Sequence, residues 1–168
     1  MVQNILFTEE ETNAILSLAG DFDQAGVYRG DKPKIDKNIR NSTKHDFKDN
    51  SIFKKIILPK VKKFGIVDIA NEAMILRYDE GHFFKRHADR LTQHGERRKN
   101  IIIQLSNKND YEGGELIIDK TVVSKEIGNT VIFDCGILHE VKLLTSGTRY
   151  CFVAHLQKSD LEVKNTLI

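Results

Sequence analysis

The sequence has no apolar run near the ~20 residues that a membrane-spanning helix needs. Stretches such as AILSLA (14–19) are short and bordered by polar residues or glycine. No membrane association is therefore expected. Charge of one sign is also missing. With 26 basic and 24 acidic residues the net charge is +2, which offers no basic face for nucleic acid. Cysteine is scarce. Cys135 and Cys151 are the two present, and both sit inside apolar segments. That excludes a disulfide framework and reads as buried thiols in a reducing compartment, so a cytoplasmic location is expected. The N-terminal MVQNILFTEEE lacks a basic start and turns acidic at once, unlike a secretory signal.

What is there suits one domain. The 168 residues are 40% hydrophobic and 30% charged, ordinary values for a soluble globular chain. TEEETNAILSLAG (8–20) predicts a helix. Thr8 caps it, Glu11 completes a capping box, Gly20 ends it, and Ile15, Leu18 and Ala19 form its apolar stripe. Residues 21–50 are polar, contain Gly26, Gly30 and Pro33, and predict strand fragments and loops. A second helix is expected from Asp49 or Ser51, carrying Ile52, Phe53, Ile56 and Ile57, broken or kinked at Pro59 and closed by Gly65.

After residue 66 the pattern changes. IVDIA, AMILRY, NIIIQL, GELIID, TVIFD and TRYCFVAHL are short and rich in β-branched and aromatic residues. Gly, Asn and Asp separate them, as in a β-sandwich or barrel. The expected class is α+β, mainly β. A helical support over 1–72 packs on an antiparallel β-barrel core over 73–157, within one domain of 1–168.

RYDEGHFFKRHADR (77–90) carries the first chemical signal. On a strand, residues two apart share a face, so His87 and Asp89 converge while Ala88 points away. One imidazole and one carboxylate are half of a metal site. A second histidine would complete a 2-His-1-carboxylate face, which suits non-haem ferrous iron. His45, His82, His94, His139 and His155 are the candidates. His139 is the best placed, just after the strand-like TVIFD. Alone, His-x-Asp is weak evidence, equally readable as a solvated loop. Ten residues beyond His139 stands Arg149, alternating with Cys151 and Val153 on a strand. An inward arginine needs an anionic partner, and its planar fork suits a carboxylate. An isolated arginine is more often a rim residue paired with a nearby acid.

Three stretches in this order resemble one family: RYDEGHFFKRHAD (77–89), YEGGELII (111–118) and GNTVIFDCGILHEVKLLTSGTRY (128–150). They are similar to the Tyr-x-x-Gly, His-x-Asp, Gly-Gly-Glu and His…Gly-Thr-Arg elements of the 2-oxoglutarate- and Fe(II)-dependent dioxygenases, in the prolyl 4-hydroxylase-like group. The resemblance covers about residues 73–156. It implies a double-stranded β-helix (jelly-roll) core, Fe(II) held by His87, Asp89 and His139, and 2-oxoglutarate and O2 as cosubstrates, with ascorbate as a reductant. Arg149 would pair with the far carboxylate of 2-oxoglutarate, where collagen-type relatives often carry lysine. Tyr78 matches a tyrosine lining the cosubstrate pocket, or is a core aromatic. Gln104 stands where several relatives place another tyrosine, and Ala154 and His155 stand where an aromatic is common. Gly113 and Gly114 would serve a turn or a close backbone approach.

The implied reaction hydroxylates a prolyl or other residue of a protein or peptide, with release of succinate and CO2. The alternatives are hydroxylation of a free amino acid or other small molecule, and a non-catalytic binding module on the same barrel. Nucleic acid is a weaker expectation, kept by Arg97, Arg98 and Lys99. His82 is expected at the pocket rim, His94 in a charged loop, His45 in solvent and His155 at the barrel end. The polar segment 91–99 is expected to cover the site. Oligomeric state is not legible.

Overall fold

The computed structural model describes residues 1–29, 32–66, 69–89, 91–92, 95–96 and 98–157. Its strands, numbered in chain order through the two main sheets, are β1 (Val2–Ile5), β2 (Asp23–Gln24), β3 (Arg40–Asn41), β4 (Thr43–Asp46), β5 (Ile69–Tyr78) and β6 (Phe83–His87). There follow β7 (Lys99–Gln104), β8 (Leu116–Ile118), β9 (Thr121–Val122), β10 (Asn129–Asp134), β11 (His139–Val141) and β12 (Arg149–Gln157). The larger sheet runs β1-β10-β7-β12-β5-β4-β2 and the smaller β9-β8-β11-β6-β3. Neighbours within each are antiparallel. This is the jelly-roll expected; β5, β7, β8, β10 and β12 fall on the segments that composition marked, while β6, β9 and β11 lie between them.

Alternation along the larger sheet builds two cores. Phe152, Ala154 and Leu156 of β12, Ile101 and Ile103 of β7, and Ala73 and Ile75 of β5 face the helices. The intervening Cys151, Val153, Ile102, Met74 and Leu76 face into the barrel. Both faces are covered, which is why NIIIQL and CFVAHL read as continuous apolar runs rather than alternating ones.

The first helix, α1, spans Glu9–Leu16. Its capping box is formed: the Glu11 N–H donates to the Thr8 hydroxyl and the Thr8 N–H to the Glu11 carboxylate, both at 3.1 Å. Ile15 is fully buried against the larger sheet. The helix stops four residues before Gly20. The N–H groups of Leu18 and Ala19 tighten to carbonyls three back, and Leu18 is exposed instead of completing the stripe. Replacing Thr8 with Ala should cost about 1 kcal/mol of stability, read as a lower urea midpoint at unchanged slope.

The second helical segment starts as a π turn (Phe53–Ile57), in which the Leu58 N–H reaches back five residues to Phe53, and continues as α2 (Leu58–Val61). Pro59 sits in the first turn of α2. The wider turn ahead of it gives room where a proline ring would crowd the carbonyl four back. Gly65, at φ 77°, ends the segment as expected.

Residues 1–72 are not a purely helical support. β1 pairs with β10, and β4 pairs with β5, at opposite edges of the larger sheet. TKHD carries no apolar alternation. It pairs through its backbone with a strand edge that would otherwise leave N–H and C=O groups unmet. Among the described residues no helix is long and apolar enough to cross a membrane.

Candidate active site

The His87 and His139 Cα atoms are directly opposed where β6 ends and β11 begins. Asp89 lies past the end of β6, so its approach does not come from strand alternation. Its N–H donates to the Cys135 carbonyl at 2.8 Å, which turns the chain and returns the carboxylate toward both rings. Asp89 Oδ1 is 3.3 Å from His87 Nε2, and Oδ2 is 3.0 Å from His139 Nε2. One ligand atom from each of the three residues fits within 4.8 Å of the others.

The phenylalanines of the motif have a place. Phe84 stacks on the His87 ring (3.5 Å between centroids, 19° between planes) and Phe133 meets His139 edge-on at 5.0 Å. Each ring is also pinned by its other nitrogen. His87 Nδ1 is 2.7 Å from the Lys85 carbonyl and His139 Nδ1 is 3.0 Å from the Ile137 carbonyl. A carbonyl only accepts, so Nδ1 carries the proton on both rings and Nε2 faces the carboxylate with its lone pair. Lone pairs directed at a carboxylate repel it unless a cation, or further protons, lies among them. Two donors at right angles on an ion with bonds of about 2.1 Å stand about 3 Å apart, close to the 3.3 Å between Asp89 Oδ1 and His87 Nε2. The donor set thus fits a divalent ion with open positions. Burial alone would raise the Asp89 carboxyl; with those further protons on the Nε2 atoms of His139 and His87, their hydrogen bonds hold it well below the usual range.

A cavity of about 680 Å³ extends from this cluster into the barrel. Tyr78, Arg149, Cys151 and Val153 line it with Leu116 and Val141. Arg149 opens β12 opposite Tyr78, the last residue of β5. It is 1% exposed, and among the described residues none meets its three side-chain nitrogens at hydrogen-bond geometry, although the Tyr111 hydroxyl and the Cys151 thiol lie close enough to act on its charge. Its guanidinium carbon lies 5.4 Å from the Tyr78 ring centroid, a cation–π contact that does not use the N–H groups. Burial drives the Tyr78 phenol up to about 12, so it stays a neutral donor. Gly113, at φ 72°, leaves no room for a side chain. A Cβ there would lie 2.2 Å from the Leu143 carbonyl oxygen, so the Gly-Gly pair is the close backbone approach expected of it.

The remaining expectations divide. His82 is not a lining residue of the cavity; its Nδ1 accepts from the Asp79 N–H within the turn that follows Tyr78. His45 accepts from the Gly20 N–H and packs edge-on against Phe47 rather than standing in solvent. His155, two residues before the end of β12, is buried in the cavity wall. Gln104 is buried, its Oε1 has no partner, and it is not among the cavity walls. His94 and Arg97 lie outside the described residues. Of the segment expected to cover the site, Leu91–Thr92 pairs with Gly95–Glu96. Lys99 of the basic trio is paired with Asp134 at 2.9 Å.

Two contributors escape sequence reasoning. Tyr111 is buried beside Arg149, its hydroxyl facing the guanidinium without a close hydrogen bond to a described residue. Asn100, fully buried, donates to Asp89 Oδ2 at 2.9 Å. Neither lies in a spacing pattern that would single it out.

Comparisons agree with this geometry. A PKHD-type hydroxylase of Synechococcus sp. strain CC9902 is 31% identical over 104 residues, 59% of this chain and 47% of that protein. The chain spans about half the length of the curated relatives it matches, 47%, 60% and 51% for three of them. Among solved structures, a Pseudomonas putida prolyl-4-hydroxylase superposes with a TM-score of 0.72 at 18% identity, covering 94% of this chain and 92% of that one. A Trichoplax adhaerens prolyl hydroxylase, solved with a hypoxia inducible factor peptide fragment, gives 0.67 at 17% identity, covering 99% and 84%. At such identities these likenesses show the fold. The family model that matches residues 73–157, half of the chain and all three converging residues with Arg149, is that of the 2OG-Fe(II) oxygenase superfamily, and the chain belongs to it.

Proposed function

We propose that the protein is an Fe(II)- and 2-oxoglutarate-dependent dioxygenase that hydroxylates a side chain, a prolyl one first, of a protein or peptide. The observation that carries this reading is Arg149, a buried cation whose N–H groups meet only neutral side chains and make no close hydrogen bond to a described residue, in one cavity with His87, Asp89 and His139. His87, Asp89 and His139 would hold the iron, and Arg149 with Tyr78 the cosubstrate. When bound, iron and 2-oxoglutarate supply the oxidising chemistry, with O2 consumed and succinate and CO2 released.

The chain's own residues do the rest. Three protein ligands would leave room at the metal for cosubstrate and O2. Arg149 would pair with the far carboxylate and orient it, its planar fork suiting that group. Leu116, Val141 and Val153 make the wall apolar, which strengthens the Arg149 pairing by excluding water. The peptide held by the Trichoplax enzyme supports a peptide as substrate. The buried thiols Cys135 and Cys151, neither in a disulfide, fit a reducing, cytoplasmic setting.

The test is succinate formation from 2-oxoglutarate with Fe(II), O2 and ascorbate, across proline-containing peptides and free proline. Iron-dependent succinate, matched one for one by an oxygen added to a peptide and abolished by a chelator, is expected. Matched hydroxylation of free proline alone would replace the peptide reading. No succinate above the iron-free control would overturn the dioxygenase assignment.

A further inference from the structure

Asn100 is fully buried on β7, with His155 of β12 and Phe133 of β10 as its direct cross-strand neighbours. A polar side chain in the middle of two packed cores is costly unless its groups are met. Here they are. Asn100 Nδ2 donates to Asp89 Oδ2 at 2.9 Å. Asn100 Oδ1 is 2.6 Å from His155 Nδ1 and 3.1 Å from Cys135 Sγ.

The assignment of atoms follows from chemistry. An ionised carboxylate only accepts, so the amide nitrogen must face Asp89. The amide oxygen then faces His155 and Cys135, and both must donate to it. The proton of His155 therefore sits on Nδ1. Cys135 acts twice, since its backbone carbonyl also accepts the Asp89 N–H. Asp89 is held at backbone and side chain by one cluster contributed by β7, the end of β10 and β12.

Resting on the metal reading above, we infer that Asn100 is a positioning residue that ties down Asp89 Oδ2, so that Asp89 ligates through Oδ1 alone, and that His155 and Cys135 fix the direction in which Asn100 donates. A carboxylate ligating through both oxygens would take a position that cosubstrate or O2 needs. Asn100 keeps that position open. This role belongs to Asn100 and His155 as they stand in this chain, His155 occupying a place where an aromatic residue would leave the amide oxygen without its donor.

The experiment titrates Co(II) into the wild-type protein and into the Asn100→Leu, His155→Leu and His155→Asn variants. It records Co(II) affinity, the absorption of the bound ion, and KM for 2-oxoglutarate apart from kcat. Asn100→Leu is expected to weaken Co(II) by about 10–100-fold, to alter the Co(II) absorption and to raise KM for 2-oxoglutarate. His155→Leu should move all three in the same direction. His155→Asn, whose amide nitrogen takes the place of Nδ1, should restore values near wild type. Thermal unfolding of the metal-free proteins checks the fold. A folded Asn100→Leu protein with wild-type affinity and spectrum would overturn the inference. If that variant does not fold, equal affinities and spectra for His155→Leu and His155→Asn would overturn it just as well. Wild-type protein that binds no Co(II) would instead overturn the metal reading on which it rests.

Discussion

The His87→Ala, Asp89→Ala and His139→Ala proteins should each lose iron-dependent turnover of 2-oxoglutarate while remaining folded. Each removes one of three donors that converge within 4.8 Å. Loss of a partner behind a metal ligand already costs about 10–100-fold, and loss of the ligand itself should exceed that. The fold should survive for identifiable reasons. The β6–β11 ladder and the Asp89 N–H bond to Cys135 are backbone interactions that alanine keeps. Asp89→Ala does leave the Asn100 amide without its acceptor, a cost of about 1–3 kcal/mol, offset in part by relief of a buried charge. His82→Ala is the control. Its ring bonds the Asp79 N–H outside the cavity walls, so turnover should stay at the wild-type level. His155 does not belong with the controls, because it touches Asn100. The measurements are Co(II) or Fe(II) titration, succinate release and thermal unfolding. A His139→Ala protein with wild-type metal affinity and turnover would refute the ligand assignment.

Arg149→Ala should raise the 2-oxoglutarate requirement at least tenfold and leave metal affinity nearly unchanged. Hydrogen bonds to a charged partner contribute ~1.5–3 kcal/mol each, and a tenfold change in affinity is ~1.4 kcal/mol. Arg149→Lys should recover part of the loss, since lysine keeps the charge but not the planar fork. Stability separates a binding role from a structural one. A structural arginine would be hydrogen-bonded, and its removal would destabilise the empty protein. Arg149 makes no such close bond to a described residue; it meets the Tyr78 ring, the Tyr111 hydroxyl and the Cys151 thiol, and a buried charge met by neutral groups alone opposes folding. Arg149→Met, which fills similar space without charge, should therefore leave the ligand-free protein as stable as wild type or more so. The wild-type protein should gain about 2.7 kcal/mol at 2-oxoglutarate concentrations 100 times its Kd, and the Met variant almost none. A folded Arg149→Ala protein with unchanged 2-oxoglutarate affinity would sink the cosubstrate assignment.

The sequence by itself determined the elements whose causes are local. Thr8 and Glu11 meet within one helical turn, so the capping box is legible from four residues. Gly65 ends its segment because a positive φ suits glycine. β7, β10 and β12 are buried on both faces, and that writes itself into the chain as unbroken apolar runs. His87, Asp89, His139 and Arg149 were legible because their residue types are rare in such surroundings and their order matches a family pattern.

What the tertiary structure alone decided is of another kind. β1 and β4 are polar or short, and pair only because an edge of the larger sheet is there to receive their backbones. Asp89 reaches the histidines by a bond to Cys135, 46 residues away in sequence, and not by the alternation of a strand it has already left. Asn100 reads as the flank of NIIIQL and His155 as a strand end. Their chemistry exists only where β7 and β12 lie side by side and place an amide, an imidazole and a thiol around one carboxylate. A pattern in one chain records which face a residue occupies. It does not record which distant residue meets it there, and the orientation of a metal ligand depends on that meeting.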